Sequence, residues 1–308
     1  MRITATVLIL AALFAPAAAA KRKTKKKRAP RPPAVFTVAP SEAIEQRVEA
    51  EVAKADSILE DLSESNLFDS PYLAAAMYYR DGFLADFDDE KPQADPGRRI
   101  VARLDREITP ERRSAYVALL RGVWSGQASD LDSAPALVLP VPVSVAPPAA
   151  AVVRTASRKS RKKARVRWRR RASNHEYALD LFVREGTGVE SATRGVVILA
   201  DQGWIPGQAF VTTSQKGGNS VIVFDPDGDR FFRYAHLDRV SVKPGQIVHA
   251  GDAIGTVGHT GLNASRPRHG GHLHLEVNQF EDGQVRALRA TELRTLLRSP
   301  EVSRVEIP

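Results

Sequence analysis

A chain of 308 residues with 43% hydrophobic content has room for two modest domains and tails. It contains no cysteine, which excludes a disulfide framework, a thiol nucleophile and an acylated cysteine anchor, and leaves His, Asp and Glu for any metal site. The formal charge of +9 is concentrated in two arms: "KRKTKKKRAPR" holds eight Lys or Arg and "RTASRKSRKKARVRWRRR" holds eleven, so the remainder is net acidic.

Residues 1–20, "MRITATVLILAALFAPAAAA", have the three parts of a secretory signal: Arg2, an apolar run, and small residues ending at Ala20. The apolar run is short for a membrane span. Export with cleavage near Ala20 is the expectation, placing the protein in the periplasm or outside the cell. Residues 21–40 are basic and Pro-rich, the composition of an extended tether. In an exported protein, anionic envelope polymers or lipid head groups suit such arms, and nucleic acid is not expected. Solvated linkers with no dedicated partner fit the same composition.

Residues 41–126 read as a small helical domain. Ile44, Val48, Val52, Ala55, Leu59 and Leu62 recur at helical spacing. "DSPYLAAAMYYRDGF" starts a helix at Ser70-Pro71, and "TPERRSAYVALLRGVWSG" starts one at Thr109-Pro110 and closes at Gly126. This region has no histidine and reads as a packing or partner-docking module. Residues 127–171 form a second linker, Ala/Pro-rich and then Arg/Lys-rich, with "LVLPVPVSV" as a possible first strand.

From 172 to 290 the chain changes to short apolar runs split by Gly, Asp and Asn. "VVILA", "SVIVF", "FFRYAHL", "QIVHAG" and "HLHLEV" read as strands, with turns at "DPDG" and "KPGQ", and residues 291–308 supply a final helix and tail. The fold class is α+β overall: a small N-terminal all-α domain followed by a predominantly antiparallel β domain.

All seven histidines lie in this second domain. In "GGHLHLEV" strand alternation puts His272, His274 and Glu276 on one face and Leu273, Leu275 and Val277 on the other. The polar members then stand roughly 7 Å apart, which suits one metal ligand with a second imidazole beside it. An amphipathic strand with histidines facing water fits the hexapeptide equally. In "FRYAHL" the same period puts Tyr234 and His236 on one face. Asp180 alternates against Leu179 and Leu181, and an inward carboxylate among strands is costly unless paired or bound to a cation. An open zinc site takes three protein ligands of mixed type, and His175, Asp180 and His274 can supply them.

The stretch from His175 and Asp180 through "EGTGV", "GGNSVIVFDPDGDRFFRYAHL", "VKPGQIVHAGDAIGTVGHTG" and "HLHLEV" resembles the lysostaphin-type, LytM-like zinc metallopeptidases that cut peptidoglycan peptides. The resemblance covers about a third of the chain. It implies the LytM-like fold, a duplicated hybrid motif forming an antiparallel groove. It also implies zinc (Zn2+) on His175, Asp180 and His274, and His236 and His272 as catalytic histidines beside it. Which of these two is the general base stays open. Glu276 is a candidate acceptor for a histidine on its own strand face. His249, His259 and His269 read as non-ligands. The loop "GHTGLNASRPRHGG" is longer and more basic than is usual in the family, which bears on substrate preference. Because His175 precedes Asp180 by five positions, strict alternation would turn it away; a bulge restores it, and Glu176 is the alternative ligand. An inactive scaffold that regulates other cell-wall hydrolases is the alternative function.

Overall fold

A computed structural model describes residues 41–79, 96–127, 137–142, 176–205, 216–262, 264–266 and 270–297. The first two stretches are helical: α1 Ser41–Glu60, α2 Pro71–Tyr78, α3 Pro96–Glu107 and α4 Pro110–Gln127. α2 starts where the Ser70 side chain accepts from the Leu73 amide at 3.1 Å, with Pro71 in the first turn, and stops where Tyr79 turns extended. The Thr109 hydroxyl opens α4 by accepting from the Arg112 amide. Gly126, expected to close α4, lies inside it, because the helix runs on to Gln127. α3 was not legible in the sequence. Its buried stripe of Ile100, Val101 and Leu104 is short and sits among arginines.

The second part is one antiparallel sheet. Its strands are β1 Leu179–Leu181, β2 Gly188–Glu190, β3 Gly195–Asp201, β4 Asn219–Asp225, β5 Arg230–Val240, β6 Ile247–Val248, β7 Ala253–Val257, β8 Leu273–Glu281 and β9 Gln284–Ala287. The main order is β1-β8-β5-β4-β3-β6; β7 pairs with β2 and β5, and β9 with β8. A closing helix, α5, spans Ala290–Leu296. Both turns read from the sequence are present. Asp225 accepts from the amides of Asp227 and Gly228, and Gly245 adopts φ 83° while Gln246 bonds back to the Lys243 carbonyl. Of the possible first strand, the described residues 137–142 form an isolated bridge, Leu137 to Thr193, and the rest lies outside the described residues.

Alternation sorts the sheet into two apolar faces. Val197, Val221, Val223, Phe232, Tyr234, Leu273, Leu275 and Val277 face one core, which α5 and the strands β2 and β7 help close. Ile198, Ile222, Phe224, Phe231 and Val285 face the other, which is continuous with the buried side chains of α1 to α4. Gly283, at φ 74°, lies against Pro110, where a Cβ would come within 2.7 Å of the proline ring. Arg121 of α4 pairs with Asp229 in the β4–β5 turn at 2.6 Å. The helix-facing side of the sheet is also the side that carries His274, Glu276 and Asn278.

Candidate active site

The register of β8 builds the site. Its neighbours set Asp180 of β1 opposite His274 on one side and Ala235 of β5 opposite it on the other. Arg233 of β5 stands opposite Glu276. Cross-strand partners approach closely, so a short register match brings residues 94 apart in sequence into contact: His274 Nδ1 lies 2.8 Å from Asp180 Oδ1. His272, on the same face, has its Nε2 4.0 Å from that oxygen and stacks on Phe182 at 5.2 Å between centroids.

His236 joins them by a different route. Its ring lies 4.8 Å from that of His272 and 5.4 Å from that of His274. Strand alternation predicts it on the face of Tyr234, and here the structure corrects the sequence reading. Tyr234 points into the opposite core, where its hydroxyl accepts from the Ala192 amide at 2.7 Å, whereas His236 has φ 64° and is the extra residue of a bulge. On β4, Ser220 pairs with Ala235 and the adjacent Asn219 with Leu237, leaving His236 unmatched. One inserted residue re-aims one side chain. Two glycine-bearing loops grip the bulge. The Gly217 carbonyl accepts from the His236 amide, and the Thr260 carbonyl from its ring Nδ1 at 2.7 Å. Gly218 and Gly261, both with positive φ, pack so closely that a Cβ on Gly218 would meet the Gly261 nitrogen at 2.5 Å.

These contacts set the ring protons. A carbonyl only accepts, so Nδ1 of His236 carries hydrogen toward Thr260, and Nδ1 of His272 carries one toward the Gly270 carbonyl at 3.2 Å. Nε2 is then the basic nitrogen of each neutral ring. His274 is the reverse. Its Nε2 donates to Glu276 Oε1 at 2.7 Å, which leaves Nδ1 as the basic atom facing the Asp180 carboxylate. Two lone-pair atoms at that separation need a positive charge between them, a proton or a metal ion. Burial disfavours the charged His274 ring, but the bonds to Asp180 and Glu276 outweigh it and push its pKa up. Burial, then the neighbouring His274 and His272, pushes the His236 pKa well down. Burial works to raise the Glu276 carboxyl, yet Arg233, His274 and Tyr78 hold it well below the usual carboxylate range.

An imidazole nitrogen facing a carboxylate oxygen, with the outer nitrogen tied to a second carboxylate, is a donor set that suits zinc. His175 lies outside the described residues. Among the described residues, no three His, Asp or Glu side chains close into a metal-holding group. Glu176, the alternative ligand, turns its carboxylate to Arg289 at 3.7 Å. His249 pairs with Asp252, His259 pairs with Glu185, and His269 lies outside the described residues.

Three residues of the site were missed in the sequence. Arg233 donates to Glu276 Oε2 at 3.2 Å, and Tyr78 of α2 donates to the same oxygen. Thr260 fixes the His236 ring. Strand period could have shown Arg233 on the helix-facing side, but no local signal pairs Tyr78 with a residue 198 positions away.

Residues 174–286 match the sequence profile of Peptidase family M23. Lysostaphin of Staphylococcus simulans is 32% identical over 108 residues, 34% of this chain and 19% of that protein. The catalytic domain of the same protein, as a solved structure, aligns at 31% identity over 36% of this chain and 74% of that one, with a TM-score of 0.27. The matching stretch of this chain is a lysostaphin-type M23 domain. Glycyl-glycine endopeptidase ALE-1 of Staphylococcus capitis is 34% identical to it over 111 residues, 35% of this chain and 26% of ALE-1. A zinc-containing peptidase from Vibrio cholerae aligns at 29% identity over 37% of this chain and 29% of that one, with a TM-score of 0.28. The chain thus spans about a fifth to a quarter of the length of the staphylococcal proteins it matches. The M23 domain holds Asp180, His236, His272 and His274; Tyr78 lies outside it.

Proposed function

We propose that the protein is an exported zinc metalloendopeptidase that hydrolyses peptide bonds in peptidoglycan stem or cross-link peptides. One observation carries the reading. Asp180 Oδ1 and His274 Nδ1 stand 2.8 Å apart, and the other ring nitrogen of His274 is committed to Glu276. The M23 match and the similarity to an endopeptidase named for glycyl-glycine bonds support it. Asp180, His274 and His175 would hold the metal. Zinc, when bound, supplies a Lewis acid and lowers the pKa of a water to about 7. His236 and His272 each leave Nε2 free for chemistry. One would take a proton from the attacking water, and the other, when it carries a proton on Nε2, would stabilise the oxyanion or give that proton to the departing amine. The leader-like segment 1–20 supports export to the periplasm or beyond, and the two basic arms support contact with anionic envelope polymers or lipid head groups.

The test is purified peptidoglycan incubated with the chain, with released fragments weighed by mass spectrometry. New amino termini should form, vanish on chelation and return with zinc. His274→Ala and Asp180→Ala should each lose bound zinc by metal analysis. Binding to the sacculi should weaken with salt and on deletion of 21–33 or 154–171. A zinc-replete chain that binds sacculi but releases no fragments is the regulatory scaffold instead. Binding indifferent to salt and to the deletions removes the role of the arms.

A further inference from the structure

Glu276 is the hinge between the M23 domain and the helices. One oxygen accepts from His274 Nε2, and the other accepts from both Arg233 and the Tyr78 hydroxyl. Glu276, Arg233 and Tyr78 are all buried. A carboxylate fixed at one oxygen can still swing about its terminal torsion; fixed at both, it presents Oε1 in one direction. The direction of Oε1 sets the plane of the His274 ring, and so the aim of Nδ1 at Asp180.

The phenol is itself held from several sides. Asn278 Nδ2 donates to the Tyr78 carbonyl at 2.6 Å, tying α2 to the same strand that carries His274 and Glu276. The guanidinium of Arg113 donates to the carbonyls of Ala76, Met77 and Tyr79 at 3.2, 3.4 and 3.4 Å, satisfying the open end of α2. Arg113 is in turn paired with Asp105 at 2.6 Å in the interior. The Arg233 guanidinium lies 5.9 Å from the ring centroids of Tyr78 and Tyr79. Packing alone needs the ring of Tyr78. The hydroxyl, aimed at a carboxylate that holds a histidine, needs a further reason.

We propose that Tyr78 is a positioning residue for His274, so that the helical region completes the metal site of the M23 domain in cis. The inference rests on the metallopeptidase reading and adds to it a specific part for residues outside the family domain. Losing the carboxylate that orients a ligand ring lowers metal affinity or activity by about 10- to 100-fold, and Tyr78 acts through that carboxylate.

The experiment compares the full chain with Tyr78→Phe, which keeps the ring, and with Tyr116→Phe. Tyr116 is buried in the same helical core, and its hydroxyl donates to the Leu67 carbonyl and not to Glu276. Zinc affinity is measured by competition with a chromogenic chelator at a temperature where all three are folded, alongside kcat, KM and the thermal midpoint of each zinc-free chain. Tyr78→Phe should bind zinc more weakly by several-fold, up to about 10-fold, and kcat should fall with little change in KM. Tyr116→Phe should lower the midpoint and leave zinc affinity at the wild-type value. Should Tyr78→Phe not fold, Asn278→Ala, which releases the Tyr78 carbonyl, is read the same way. Wild-type zinc affinity in the substituted chain, or an equal loss in Tyr116→Phe, overturns this inference alone. A wild-type chain that takes up no zinc overturns the metal reading and the inference with it.

Discussion

Three histidine rings meet at one point of the sheet, and each is oriented by a different acceptor. The Thr260 carbonyl fixes His236, the Gly270 carbonyl fixes His272, and the Glu276 carboxylate fixes His274. The acceptors divide the labour, because they leave Nε2 basic on two rings and Nδ1 basic on the third. On that division, His236→Ala and His272→Ala should each keep bound zinc and reduce cleavage by about a hundredfold or more. Metal analysis beside turnover on the same preparations decides it; zinc lost together with activity in either variant would merge the two roles. The grouping of His272, His274 and Glu276 was legible, because strand alternation alone puts them on one face. The aim of His236 was not. It depends on a bulge that the loops around Gly217 and Thr260 hold, and neither loop is adjacent to it in sequence. Tyr78 was invisible for a stronger reason: its only signal is a partner that folding brings to it.

Elements were legible where local chemistry marks both ends. α2 carries Ser70 and Pro71 at its start, and the turns at Asp225 and Gly245 carry the residues those geometries require. α3 has no such marks at its close, and its apolar stripe emerges only against α1 and α2. The β4–β5 turn shows what a local device costs. Asp225 is buried beside Asp227 and Arg230, and Arg194 pairs with Asp227 at the surface. Burial, opposed by the amides of Gly228 and Asp227 and by Arg230, pushes its carboxyl pKa up to about 6 from 3.8. The folded chain then holds this proton more tightly than the unfolded chain. Stability from Asp225 is therefore present below about pH 4 and is lost as pH rises to about 6. Asp225→Asn keeps an oxygen for both turn amides and removes the charge. The variant should gain roughly 3 kcal/mol over the parent above pH 6, with the gap closing toward pH 4. Urea unfolding of both chains across that range measures it, and a gap independent of pH would assign the effect to Arg230 or to packing.

At the scale of the molecule, composition indicated a helical region and a β region but not how they share a core. A strand that alternates apolar and polar residues announces one buried face; β3, β4 and the start of β5 bury both, so Ile198, Ile222, Phe224 and Phe231 need a cover of their own. The helices supply it, continuous with Ile44, Leu73, Ile100 and Tyr116. Stripping the helices would expose those four sheet residues at about 1.5–3 kcal/mol each, a total comparable with the whole stability of an ordinary domain. The helical and β regions should therefore unfold together. Calorimetry of the full chain should give one transition for both, with calorimetric and van't Hoff enthalpies in agreement. Tryptophan emission offers a local check, since Trp124 of α4 lies under the Arg194 guanidinium of the β region and should report the same midpoint. Two separated transitions would show that the sheet stands without its helical cover, and Tyr78 would then sit at a contact that opens before the M23 domain does.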